Sequence, residues 1–403
     1  MVNHSTMGNS KIKFSALIEN NKIAATVWFG LVAVALLNAF KGDAYNNFII
    51  FKQSFFHLKN NTNLYLEYIN EYKDHYYYSP SFALFVIPFS YLPNIIGPFA
   101  WGFFDAGILY YAIRQLPIKA KYQNFILLLS ANEMMNASSN LQSNGIMAAT
   151  IILSFVFIVN QKESASAKMM LLGVFIKLYS ITGLAFFFFS KQKIKFILYF
   201  IFWAIVIICL PLLVTSPANL MQCYRDWFAA LSLKSNFDIT VSMHQNMVDI
   251  TLQGMVKRIF NLPNLGKWYF IIPALIIFGA QYLLYNYFTH PVYRLYMLCS
   301  VLLFIIVFNT GTESPTFIIG VPAICLWYSL QEKTKWMNTI FIVAIFFSSF
   351  SYSDIFTPWL RTQIMMPYAL KALGCFIVWV VIAVQIFTKQ FLKVRSITRC
   401  RDD

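Results

Sequence analysis

The chain has 403 residues, of which 59% are hydrophobic, 18% aromatic and only 12% charged, whereas soluble domains carry about a quarter charged residues. That balance excludes a soluble globular enzyme and points to an integral membrane protein whose long apolar runs cross as helices. The net charge of +15, from 31 basic and 16 acidic residues, does not imply nucleic acid, because Lys and Arg gather at the ends of the apolar runs as the positive-inside rule requires.

Residues 1–22 are polar and basic and read as a cytoplasmic tail. No A-x-A cleavage site follows the first apolar run, Ile23–Phe40, so that run is expected to be a retained anchor. Lys11, Lys13 and Lys22 place the N-terminus inside, and Asp43 therefore emerges on the extracytoplasmic side. The outside loop from Lys41 to about Ser79 begins with an amphipathic stretch, Tyr45 to Leu58, suited to lying along the membrane surface as one wall of a cavity. It ends in the tyrosine-rich "KDHYYYSPSF", which serves either as an interfacial aromatic belt or as a platform for sugars. Phe82–Leu92, bounded by Pro80 and Pro93 with Pro88 inside, is too short and too broken to span easily and reads as re-entrant.

Ile96–Ile113 contains Asp105, and Tyr122–Asn136 contains Glu133. In "ASSNLQSNGIM", Asn140, Gln142 and Asn144 precede the apolar run Gly145–Val159, either as helix caps or as donors to a sugar or phosphate. Met169–Phe189 carries Lys177 near its middle and lysines at both ends, Lys168 before it and Lys191, Lys193 and Lys195 after it. This spacing predicts a hairpin that returns to the inside. Straight crossings are the alternative, and they leave Arg114, Lys119, Lys121, Lys162 and Lys168 on the wrong side.

After Ile194–Val214 a second outside loop, about Thr215 to Lys267, is expected to be partly helical and amphipathic. The runs Trp268–Phe288, Leu295–Phe308, Pro315–Leu330, Trp336–Phe350 and Tyr368–Phe387 follow, and the basic tail 391–403 returns to the cytoplasm. The expected architecture is an all-α polytopic domain over residues 23–390, a bundle of about 10–12 transmembrane helices, with both termini in the cytoplasm.

Ionisable groups inside lipid cost about 2.5–3.5 kcal/mol each, which makes them functional candidates. Asp43, Asp105, Glu133, Lys177 and Glu313 qualify. Asp105 and Glu133 alternatively join packed helices, and Lys177 either snorkels or faces a wet cavity. The six cysteines form no CxxC pair, and His4, His57, His75, His244 and His290 are scattered, so no disulfide framework, metal site or cofactor is expected. No Gly-rich phosphate loop, HExxH or GxSxG motif is present.

The order of features, an Asp after the first span, then "YYYSPSFALFVIPFSYLP", Trp101, "LQSNGIM" and "LLGVFIKLYS", resembles the polytopic glycosyltransferases of the GT-C fold over about residues 28–330. The similarity is to glycosyltransferase family 87, which includes polyprenol-phosphate-mannose-dependent mannosyltransferases. Gln142 and Asn144 match that family's "GQxN", with Leu141 in place of its Gly, and Lys177 matches a "K..P" in which Ser180 replaces Pro. The "ESPT" at 313–316 resembles a segment near the lumenal edge of some members.

The resemblance implies that Asp43 is the catalytic base, without a DxD partner because Ala44 and Tyr45 follow. Tyr78, Gln142, Asn144, Lys177, Tyr179, His244, Asn246, Arg258 and Glu313 are the residues expected at the donor. Lys177, or Arg225, Lys257 and Arg258 of the outside loop, would neutralise the departing phosphate, with no obligatory metal. The implied activity is transfer of a mannose-like hexose from a polyprenyl-phosphate donor to a glycan or lipid-linked acceptor on the extracytoplasmic face of the cytoplasmic membrane. A transporter or lipid flippase, which also uses broken helices and intramembrane polar groups, is the rival class. The absence of an internal repeat and the gathering of polar groups near one face favour the enzyme. A noncatalytic scaffold that keeps the fold is a third reading.

Overall fold

The computed structural model describes residues 17–40, 45–241, 243, 245–353 and 357–394. Asp43 and His244 lie outside the described residues, as does most of each terminal tail. The described residues form helices and no strand, as an apolar chain that must satisfy its own backbone hydrogen bonds in lipid requires.

Among the described residues, three helices are both long and apolar enough to cross a bilayer: Asn21–Ala39 (α1), Lys193–Cys209 with its continuation to Leu213, and Pro291–Phe308. Several other apolar runs are shorter or interrupted. Trp268–Phe288 is the helix Trp268–Ala280 followed by two single 3-10 turns, and Pro315–Leu330 divides into a 3-10 turn, Ser314–Ile318, and the helix Val321–Ser329. Pro315 and Pro322 each start one of those pieces, since proline suits the first turn of a helix but not its interior.

The rest of the first half is a set of packed helices in chain order. They are Tyr45–Lys59 (α2), Pro80–Phe85 (α3), Ile87–Ser90 (α4), Ile96–Arg114 (α5), Ala120–Ser139 (α6), Asn144–Val159 (α7) and Glu163–Ile176 (α8). α1 packs on α5 and α6, and the Trp28 indole N–H donates to the Ala106 carbonyl at 3.1 Å. α2 buries Phe48, Phe51, Phe55 and Leu58, one helical face, against α3, α4 and α5. Lys52 fastens its outer side to the Leu92 carbonyl at 2.9 Å and to the Asn94 side chain at 2.7 Å. The proline-broken stretch Phe82–Leu92 is the pair α3 and α4, hinged at Val86, and together they rise only about 16 Å.

The segment with Lys177 is a hairpin. α8 ends at Ile176, Lys177 is extended (φ −141°, ψ 126°), and a 3-10 helix runs from Leu178 to Phe189. The two arms are antiparallel: Gly173 faces Ser180, Gly183 faces Met170, and the Ser190 hydroxyl donates to Glu163 Oε1 at 3.2 Å. Lys177 is therefore the apex, and the lysines flanking the hairpin lie at its other end.

The remaining helices are Lys193–Cys209 (α9), Pro217–Val241 (α10), Leu252–Phe260 (α11), Trp268–Ala280 (α12), Pro291–Phe308 (α13), Val321–Ser329 (α14), Lys335–Ile345 (α15) and Lys371–Phe387 (α16). α13 is central, with 83% of its span buried, against 17% for α9, whose apolar side chains face outward. α10 and α11 are the helices in the stretch from about Thr215 to Lys267.

Candidate functional site

The turn between α6 and α7 builds the floor of the site. Leu141 holds a left-handed backbone (φ 48°), and its carbonyl accepts from the Trp101 indole at 3.1 Å. The neighbouring Asn140 carbonyl accepts from the Asn47 amide of α2 at 2.8 Å. Two of the free N–H groups at the start of α7 are already taken: Asp105 of α5 accepts from Ile146 at 2.6 Å and from Gly145 at 3.2 Å. A Cβ at position 145 would lie within 3 Å of that carboxyl, so glycine is required there. The helix dipole at this point thus stabilises an internal carboxylate, and the anion site that the sequence suggested at the α7 N-terminus is occupied by the protein itself.

Above this floor a line of side chains joins opposite charges. Gln142 donates from Nε2 to Glu313 at 2.9 Å, Asn144 donates from Nδ2 to Gln142 Oε1 at 2.6 Å, and Lys177 donates from Nζ to Asn144 Oδ1 at 2.9 Å. Each amide gives with its nitrogen and receives with its oxygen, so the Glu313 carboxylate and the Lys177 ammonium fix the orientation of both. Lys177 has three N–H donors and Asn144 is its one hydrogen-bond partner among the described residues, which leaves two donors for a ligand. The ammonium lies 5.9 Å from the ring centre of Tyr78 and 6.0 Å from that of Tyr179. The Tyr179 hydroxyl is buried with no hydrogen-bond partner among the described residues.

The outer wall comes from α10 and the tyrosine strip. Lys234 reaches Glu313 and Asp238, each at 3.9 Å, and lies 4.7 Å from the Tyr77 ring centre. The Trp227 indole anchors this helix to the Tyr77 carbonyl at 3.0 Å. Burial raises the Asp238 carboxyl above its ordinary value, and Lys234 offsets part of that. The Ser79 hydroxyl donates to the Phe175 carbonyl, tying the strip to the hairpin near its apex. Beside the apex, a 120 Å³ cavity is lined by Ser81, Phe82, Leu84, Phe85, Leu172, Phe175, Ile176, Ile207 and Leu210.

A buried pair braces the other side. Lys371 meets Glu133 at 2.9 Å, both nearly solvent-free, and also donates to Ser314 Oγ at 2.9 Å, while Asn136 donates to the same hydroxyl at 3.0 Å. Glu133 is thus a polar contact between packed helices, and through Ser314 it holds the loop that carries Glu313.

Of the residues singled out in the sequence, Tyr78, Gln142, Asn144, Lys177, Tyr179 and Glu313 come together here. Asn246 is exposed on the 245–248 turn, and Arg258 of α11 donates to the Gln245 and Val248 carbonyls of that turn at 3.0 and 2.5 Å. Just beyond the turn, the Ile250 N–H donates to the Thr312 carbonyl, next to Glu313, at 2.8 Å. Sequence reasoning missed Lys234 and Asp238, whose i, i+4 spacing on a helix is that of any solvated pair and gave no signal of a site. It also missed Lys371, an ionisable group inside the apolar run Tyr368–Phe387 that met the same criterion as Glu133.

No curated protein matches the chain. Residues 76–310, more than half of its length and the stretch that runs from the tyrosine strip through the Gln142–Asn144 turn, the Lys177 apex and α10 to the end of α13, match the sequence model of glycosyltransferase family 87, and the chain belongs to that family of glycosyltransferases.

Proposed function

We propose that this glycosyltransferase moves a mannose-like hexose from a polyprenyl-phosphate donor to a glycan or lipid-linked acceptor at the extracytoplasmic face of the cytoplasmic membrane, with both termini and the tails 1–22 and 391–403 inside. The observation that carries this reading is the Lys177 ammonium at the hairpin apex, oriented by Asn144, with two donors uncommitted and tyrosine faces on either side. A phosphate held there has its charge met by a cation in a half-buried setting, where a unit charge pair at about 4 Å is worth roughly 4 kcal/mol. The apolar cavity beside Ile176 offers a path for the first units of a prenyl chain, and the rings of Tyr77, Tyr78 and Tyr179 suit the apolar face of a sugar.

The reaction is a single displacement with inversion. The acceptor hydroxyl attacks the anomeric carbon, a carboxylate removes its proton, and the bond to the donor phosphate breaks with its electron pair going to phosphate. Lys177 balances the charge that develops on the leaving group, so its contribution grows toward the transition state. Asp43 is the proposed base. It follows α1 and precedes α2, the helix whose Asn47 is bonded to the floor of the site. A second reading gives the base role to Asp238, because it is buried beside Lys234 on the helix that walls the site.

The test is transfer from labelled polyprenyl-phosphate sugars by purified protein. Lys177→Gln is expected to lower kcat by about 10²–10³, and Asp43→Asn by about 10²–10⁴, each with an unchanged melting temperature. Transfer that survives in Asp43→Asn and fails in Asp238→Asn would move the base to Asp238. Activity with nucleotide sugars alone would remove the lipid donor from the reading.

A further inference from the structure

At the base of the hairpin, the end remote from Lys177, the chain forms a second and larger cavity of about 450 Å³. α8 has 14 residues, so this cavity lies about 20 Å from the apex. Its lining comes from three places: the Gln161–Lys162 turn, the first turns of α8, and the first turns of α9. Lys162, Lys168 and Lys195 all line it, and Glu163 is its one acidic residue. Glu163 is nearly solvent-free and accepts from the Ser190 hydroxyl. Among the described residues none of the three lysines forms an ion pair, and Lys168 lies over the Trp203 ring at 5.2 Å.

Clustered lysines at a membrane edge are in themselves only the positive-inside pattern. Two features go further. The lysines converge on one concave space in place of pointing separately into solvent. The cavity also takes part of its lining from α9, the helix on which Leu198, Ile201, Phe202 and Ile205 are exposed and only 17% of the span is buried. Tyr199 and Trp203 line the junction, with the Trp203 indole bonded to Ser164 Oγ at 3.1 Å. A ligand matching both parts has an anionic head and hydrocarbon tails.

We propose that this cavity binds the phosphate headgroup of an anionic phospholipid, with the acyl chains lying along the exposed face of α9. The site is separate from the candidate catalytic site and does not depend on the reading of it. Its lysines replace the hydration of the phosphate, and Ser164, Gln161 and Gln192 offer neutral hydrogen-bonding groups around it.

The full chain in detergent, titrated with phosphatidylglycerol or phosphatidylcholine and read by native mass spectrometry, is expected to retain phosphatidylglycerol preferentially. Each lysine is worth about fivefold in that affinity, so the triple variant Lys162→Gln, Lys168→Gln, Lys195→Gln should lose about 100-fold. The single variant Lys195→Gln, at an exposed position on the cavity rim, should lose about fivefold and tests the same point if the triple variant does not fold. Lys119→Gln with Lys121→Gln, another basic cluster at a helix end, should leave the preference unchanged. Equal losses in that control, or wild-type retention in the pocket variants, would overturn the proposal. Displacement of the lipid by millimolar inorganic phosphate alone would show a phosphate site without lipid selectivity and overturn it as well.

Discussion

At Leu141 the sequence carries a residue where the family pattern has glycine, and the structure shows what that exchange imposes. A non-glycine residue in the left-handed region costs about 1–2 kcal/mol, yet the Leu141 side chain is almost completely buried. Removing a buried leucine side chain costs about 2.7–5.0 kcal/mol. Leu141→Gly should therefore relieve the backbone and still destabilise the protein by roughly 1–4 kcal/mol, measured by thermal unfolding in detergent. Asp249 shows a different conflict. It accepts from the Thr251 hydroxyl at 2.6 Å, but its other carboxyl oxygen is buried without a partner among the described residues. Burial raises its carboxyl above the ordinary 3.8, with Thr251, Arg258 and Lys257 pulling the other way. A raised folded-state value means the stabilising protonated form is fully present below the unfolded value and is lost as pH rises through the folded one. Asp249→Asn, which cannot ionise, should gain stability relative to wild type over the pH range that begins at the ordinary value of 3.8 and rises through the folded one. A constant difference in melting temperature across that range would refute this.

At the scale of elements, the site depends on how three separate pieces are clamped. α6 carries Glu133, α16 carries Lys371, and the Ser314 turn between them takes its position from both. Breaking such a buried pair leaves one charge without its partner, at a cost of about 3–5 kcal/mol. Glu133→Ala should lose that much stability and also lower activity through Glu313. The double variant Glu133→Met, Lys371→Met should recover most of the stability, because it removes both desolvation costs. A double variant no more stable than Glu133→Ala would show that the pair matters for more than mutual charge. The α8 hairpin follows from its sequence more directly. Small residues at Gly173, Ser180 and Gly183 let its arms approach, and the 3-10 arm packs on α7 and α13 as well as on α8.

For the whole molecule, the hairpin decides which residues share a side. Lys162 and Lys195 line one cavity although the intervening segment is apolar and long enough, taken as one helix, to cross a bilayer. Single cysteines at Lys162→Cys and Lys195→Cys, placed in a variant lacking the native cysteines, should react with an impermeant thiol reagent from the same side of the membrane. Labelling from opposite sides would restore a straight crossing. The molecule thereby gains two polar regions at the two ends of one hairpin, Lys177 at the apex and the lysine-lined cavity at the base.

The sequence by itself determined the class of fold, since 59% hydrophobic residues in repeated long runs suit helices, which satisfy their own backbone, and not the short alternating strands of a barrel. It also determined which polar residues were out of place. Lys177, Asp105, Glu133 and Glu313 were visible because each sits beside or within an apolar run, and the hairpin was visible because lysines lie at both its ends. The tertiary structure decided what these groups do. Asp105 caps α7 from another helix, Glu133 pairs with a residue 238 positions away, and Gln142 reaches Glu313 across 171 positions. Spacing along a chain reports local periodicity, whereas partners so distant are set by how the helices pack. Lys234 and Asp238 were illegible for the same reason: on an amphipathic helix they resemble any solvated i, i+4 pair until that helix is laid over the site.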